Sequence, residues 1–155
     1  MLPEPHANLI VPRLWLGDKD ASMDPTFLKE KGITTVFNCT KDLPFSPLIK
    51  RQYRVPVDDD LQPVELKNME IWSPEIVAKV LHEYNQGQTI LVHCFAGKQR
   101  SAAVVAMTLI AKTGRTVDQA FEYIRSVRPV AFFPQANFEP SIRAFHAMLK
   151  RAVGM

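Results

Sequence analysis

Two cysteines in 155 residues are too few for a disulfide scaffold, and Cys39 and Cys94 lie too far apart in sequence for a zinc knuckle. The four histidines, His6, His82, His93 and His146, show no metal-ligand spacing, so neither a metal nor another cofactor is expected. No apolar run approaches the ~20 residues that a membrane span needs. Met1 to Asn8, with Pro3, Glu4, Pro5 and His6, lacks the apolar stretch of a secretory signal. Internal repeats, low-complexity tracts and linkers are missing too. What remains is a chain of average make-up, 46% apolar and 23% charged, long enough to enclose one core. The expectation is a single domain over 1–155 with its core at about 8–150: soluble, monomeric and cytoplasmic, with the nucleus as the alternative compartment. A net charge of +3 mildly favours anionic substrates, a balance too common to decide anything by itself.

Hydrophobic patterning gives the element order. Leu9 to Gly17 reads as an edge strand or a strand pair broken at Pro12. Asp24-Pro25 opens a short helix that Gly32 ends. Ile33 to Cys39 is a buried strand, and Tyr53 to Val57 another, running into the acidic loop Asp58-Asp59-Asp60. Ser73-Pro74-Glu75 predicts the start of a helix with Ile76, Val77, Val80, Leu81 and Tyr84 on one face. Thr89 to Val92 has the length of a short buried strand. From Ser101 to Ala111 the chain is apolar nearly all round, so that helix should be central. Thr116 caps a further helix with Val117, Ala120, Phe121 and Ile124 inward, and a last helix runs to about Arg151 through Phe138, Ile142, Phe145 and Leu149. Strands alternating with helices predict an α/β fold around a buried central sheet.

The chemistry concentrates in Ile90-Leu91-Val92-His93-Cys94-Phe95-Ala96-Gly97-Lys98-Gln99-Arg100-Ser101. A buried strand delivers Cys94, and a buried helix begins at about Arg100. Such a strand–loop–helix can curl so that successive backbone N–H groups point inward as a nest for an anion. The helix N-terminus adds partial positive charge there, and Gly97 supplies the backbone freedom that a tight loop needs. A thiol in that field is favoured as the thiolate nucleophile. Arg100 returns to the mouth of the loop, where its planar fork can hold two phosphate oxygens. Ser101 can donate to the sulfur as it leaves. His93 points away from the pocket and holds the loop. Phe95, Ala96, Gly97, Lys98, Gln99 and Arg100 form the phosphate-binding loop.

The segment from His93 to Ser101 matches every fixed position of the pattern HCxxGxxRS and so resembles the dual-specificity branch of the protein tyrosine phosphatase superfamily. Ile10-Val11-Pro12-Arg13-Leu14-Trp15-Leu16-Gly17 looks like that family's opening strand segment, and Gly32 to Asn38 like its next strand. Arg128-Pro129, followed by Pro134 and Phe138, resembles its C-terminal segment, with Gln135 and Asn137 where Asn and Gly are usual. The resemblance implies a central, mostly parallel sheet flanked by helices. It also implies a metal-free phosphomonoesterase working through a phosphocysteine on Cys94. A general acid follows the strand before the long helix; matching Val55-Pro56-Val57-Asp58-Asp59 to the family's IPxxD pattern selects Asp59, with Asp58 and Asp60 as alternatives. The domain is too short for the loop that deepens the cleft of the tyrosine-specific enzymes. A phosphoprotein carrying phosphotyrosine, phosphoserine or phosphothreonine is therefore the expected substrate.

Two rivals stand beside that reading. The same chemistry could serve a non-protein polyanion, namely a phosphoinositide, an inositol phosphate or an RNA 5′ phosphate end, and Lys98 inside the loop is the residue that would favour it. A silent phosphate-binding module is the other. Cys39 is expected to be packed; the alternative is a disulfide with Cys94 on oxidation.

Overall fold

The computed structural model describes residues 5–153; residues 1–4, with Pro3 and Glu4 of the N-terminal reading, and residues 154–155 lie outside the described residues. Strands β1 (Ala7–Val11) and β2 (Leu14–Gly17) form an antiparallel pair around Pro12 and Arg13. Arg13 takes a left-handed backbone (φ 67°). Its guanidinium donates to the Tyr84 and Gln88 carbonyls at 2.8 and 2.9 Å, which pins the turn. Helices α1 (Lys19–Met23) and α2 (Pro25–Glu30) follow, capped by the Asp18 and Asp24 carboxylates. Strands β3 (Thr35–Asn38) and β4 (Arg51–Arg54), helix α3 (Pro63–Asn85), strand β5 (Ile90–His93), and helices α4 (Arg100–Thr113), α5 (Val117–Val127) and α6 (Glu139–Ala152) complete the order.

The five strands run β1-β2-β5-β3-β4 across the sheet, and all pairs beyond β1–β2 are parallel. Alternation along the strands splits the core. Leu14, Leu16, Phe37, Ile90 and Val92 face α4 and its neighbouring helices, whereas Trp15, Val36 and Leu91 face Leu28 and Ile33 on the other side. Every residue of α4 from Ser101 to Ile110 is buried, as expected of a central helix. Gly17, Asn38 and His93 share one register at the carboxyl ends of β2, β3 and β5, the edge where α/β sheets place their ligands. No described helix is long and apolar enough to cross a membrane.

Helix α1 had no counterpart in the sequence reading, and two boundaries differ from it by more than two residues. Strand β4 ends at Arg54, not Val57: Val55 still donates to the Asn38 carbonyl at 2.8 Å, but Pro56 has no N–H to continue the ladder. Helix α3 begins at Pro63 and passes straight through Pro74, so Ser73-Pro74-Glu75 is no start signal. Pro74 cannot donate to the Glu70 carbonyl four residues back; the Ser73 hydroxyl donates to it instead at 2.8 Å.

One buried carboxylate ties the sheet to α3. Glu83 is fully buried and accepts from Thr35 Oγ1 at 3.0 Å and from Arg51 Nε and Nη2 at 2.6 Å each. The Arg51 bonds, working against burial, hold its carboxyl down at about 2. A depressed carboxyl stabilises the fold fully above its ordinary value, and that contribution is lost as pH falls through about 2. Glu83→Gln should lower stability at neutral pH by about 1.5–3 kcal/mol, the usual worth of hydrogen bonds to a charged group. Urea titration should show a lower midpoint with an unchanged slope; an unchanged midpoint would refute the role.

Candidate active site

Strand β5 brings Cys94 to the sheet's carboxyl edge, and residues 94–99 wrap back to the first turn of α4. Four consecutive loop carbonyls are taken from outside. Phe95 O accepts from the Lys19 amide (3.1 Å), Ala96 O and Gly97 O from the Arg128 guanidinium (3.3 and 2.9 Å), and Lys98 O from the Phe132 amide (2.7 Å). Carbonyls turned outward leave the amides of the loop for the cavity, which is the nest an oxyanion needs. Gly97 is obligatory here: its φ is +68°, and a Cβ would sit 2.6 Å from the Gly17 carbonyl oxygen and 2.8 Å from Arg128 Nη2.

Cys94 is buried, with its Sγ hydrogen-bonded to Ser101 Oγ at 3.1 Å. His93 lies behind it, and its Nδ1 reaches the Cys94 carbonyl at 3.2 Å. Burial holds the imidazole down at about 4, so it is neutral at neutral pH. Acidification below 6.5 therefore favours the unfolded chain, which alone takes up that proton until about pH 4. Arg100 Nη1 donates to the Val57 carbonyl at 3.1 Å, joining α4 to the acidic loop, while its buried Nε has no partner among the described residues. Gln99 fastens the far wall, donating to the Gln135 and Phe133 carbonyls (2.6 and 3.3 Å) and accepting from the Asn137 amide (2.9 Å).

The three aspartates diverge. Asp58 pairs with Lys41 at 3.2 Å, and its backbone N–H donates to Glu65 at 2.7 Å. Asp60 accepts from the Gln62 amide at 3.0 Å beside the start of α3. Asp59 alone of the three lines a cavity of about 290 Å³ together with Cys94, Lys98, Arg100, Phe133 and Asn137, and Asn137 donates to it at 3.0 Å. Burial raises the Glu65 carboxyl, but bonds from the Asp58 amide, Lys41 and Asn68 outweigh it and hold the group below the usual range. Glu65 thus stays ionised and anchors the loop. A roomier groove of about 390 Å³ between β4 and α3, beside Tyr53, Trp72 and Lys79, is lined by no cysteine, serine or threonine.

Sequence reasoning gave no site role to three of these parts: the Arg128 clamp, the Glu65 anchor and Asn137. Arg128 and Asn137 stood only as positions of the C-terminal resemblance, and Glu65 had no signal. Cys39 and Cys94 are both free thiols, and burial pushes the Cys39 thiol well up, which makes it a poor nucleophile.

Residues 14–148 match the family model described as "Dual specificity phosphatase, catalytic domain". Dual specificity protein phosphatase 1 of Arabidopsis thaliana is 34% identical over 134 residues, covering 84% of this chain and 64% of that protein. Dual specificity phosphatase 28 of Mus musculus is 31% identical over 150 residues, covering 96% of this chain and 88% of that protein. The crystal structure of a mouse dual specificity phosphatase complexed with zinc tungstate aligns at a TM-score of 0.80 and 28% identity, over 99% of this chain and 94% of that one. The chain therefore spans less than two thirds of the Arabidopsis relative's length.

Proposed function

Because the chain belongs to the dual-specificity phosphatase family, we propose that it hydrolyses phosphate monoesters on proteins through a phosphocysteine at Cys94. The observation that carries this reading is one cavity lined by Cys94, Arg100 and Asp59, with Ser101 bonded to the sulfur. The Cys94 sulfur attacks phosphorus while Asp59 gives its proton to the departing ester oxygen, so the S–P bond forms as the O–P bond breaks. Asp59, now a carboxylate, takes a proton from water; the water oxygen bonds to phosphorus and the sulfur leaves, stabilised by the Ser101 hydroxyl. Arg100 and the inward amides stabilise the equatorial oxygens through both steps. The buried Arg100 Nε is an N–H that a phosphate oxygen would satisfy.

Lys98 on the cavity wall supports the second reading, a small polyanionic substrate. Turnover of phosphotyrosine, phosphothreonine, phosphoinositide and RNA 5′-triphosphate substrates, measured side by side, tests the choice. Lys98→Ala should change kcat/KM only slightly on a phosphopeptide, since Arg100 and the loop amides already match one phosphate. A phosphoinositide would lose a charge-assisted bond, worth about 10–100-fold. Faster wild-type turnover of the phosphoinositide, with a large Lys98→Ala loss confined to it, would overturn the protein-substrate reading.

A further inference from the structure

The rim of the Cys94 cavity carries apolar surface that phosphate binding does not need. Phe95 and Phe133 both line it, and they are 55% and 65% exposed to water. Scattered apolar residues on a protein surface mean little, but two phenyl rings and Pro134 around one reactive sulfur make a patch, and patches mark binding surfaces.

The backbone maintains that patch under strain. Phe132 sits at φ +60°, a left-handed conformation that a bulky side chain rarely adopts and that is retained where surrounding structure enforces it. The reversal sends neighbouring phenyls to opposite sides. Phe132 packs in the core against Phe121, with ring centroids 4.5 Å apart, while Phe133 turns out to the cavity. The strained residue is also tied to the phosphate loop, since the Phe132 amide donates to the Lys98 carbonyl at 2.7 Å. Phe95 is held as well: the Lys19 amide bonds its carbonyl at 3.1 Å, and the Lys19 ammonium lies 5.2 Å from its ring centroid.

We propose that Phe95 and Phe133 select aromatic phosphate esters, the phosphotyrosine side chain among protein substrates, over phosphoserine and phosphothreonine. This rests on the phosphatase reading of Cys94 and narrows it. A phosphate seated on the loop amides directs its ester oxygen to the cavity mouth. A tyrosine ring on that oxygen fills the space beside the two phenyls, burying apolar area and meeting their faces and edges. Serine and threonine place one carbon there before the peptide backbone begins, and the phenyls stay wet. An inositol ring fills the space with hydroxyls that a phenyl cannot hydrogen-bond.

One peptide made in phosphotyrosine and phosphothreonine forms tests this, with kcat/KM measured for wild type, Phe95→Ala and Phe133→Ala. Wild type should favour the phosphotyrosine form by about tenfold or more. Either substitution should pull that ratio towards one by slowing the phosphotyrosine peptide. A wild-type ratio near one, a ratio that survives both substitutions, or equal losses on both peptides would overturn the proposal. p-Nitrophenyl phosphate separates the two questions. If wild type hydrolyses it and the ratio fails, aromatic selection alone falls. If wild type hydrolyses none of the three, the phosphatase reading falls and takes this inference with it.

Discussion

Cys94→Ser should abolish turnover while inorganic phosphate still binds. The change swaps one atom for another of the same valence, so the loop keeps its outward carbonyls and Arg100 its bond to Val57. What disappears is the thiolate. A serine hydroxyl is a weak nucleophile unless an adjacent base activates it, and none serves this step: Ser101 is a hydroxyl, the neutral His93 ring bonds the Cys94 backbone carbonyl behind the loop, and Asp59 on the cavity wall enters the first step as the acid. Binding draws on amides, the helix N-terminus and Arg100, all of which remain. Steady-state hydrolysis of p-nitrophenyl phosphate together with phosphate titration by calorimetry checks both halves. Residual turnover within tenfold of wild type would sink the assignment of Cys94. Cys39→Ser is the control and should hold its rate within a few-fold, because Cys39 is a buried thiol with no place in either chemical step.

The parts of this site that neighbours in sequence build were legible in the sequence. Strand β5, the tight loop at Gly97 and the all-apolar α4 follow from residues 90–111 alone, because each is set by local pattern and local backbone demands. Caps were legible for the same reason: Asp24 accepts from the Thr26 and Phe27 amides, and Thr116 forms a reciprocal box with Gln119. Long-range bonds were not. Arg128 reaches back 31 residues to the Gly97 carbonyl, and Gln99 reaches forward 38 to the Asn137 amide. Helix α3 was misread for a related reason. A Ser-Pro-Glu string usually starts a helix, and only the contact of the Ser73 hydroxyl with the Glu70 carbonyl reveals how the helix carries Pro74. The three aspartates show the limit most clearly. They are adjacent and chemically identical, so the sequence ranked Asp59 first only through its resemblance to the IPxxD pattern, and it is their contacts with Lys41, Glu65, Gln62 and Asn137 that tell them apart physically.

Asp59→Ala should lower kcat by roughly 10²–10⁴, the usual worth of a positioned general acid. The three carboxylates make this a sharp test, since each already has a different occupation. Asp58 is drawn towards Lys41, with its amide fixed on the buried Glu65; Asp60 serves the Gln62 amide. Asp59 keeps its carboxylate on the cavity wall through one bond from Asn137, which orients it without neutralising it. The loss should depend on the leaving group. An alkoxide departs badly unless protonated, so a phosphothreonine peptide should show the full effect; p-nitrophenolate leaves easily unprotonated and should show much less. Asp58→Ala and Asp60→Ala should disturb the loop without that dependence, slowing both substrates alike. If either of them, and not Asp59→Ala, spares p-nitrophenyl phosphate while crippling the peptide, the proton donor is that residue, and Asp59 is only part of the wall.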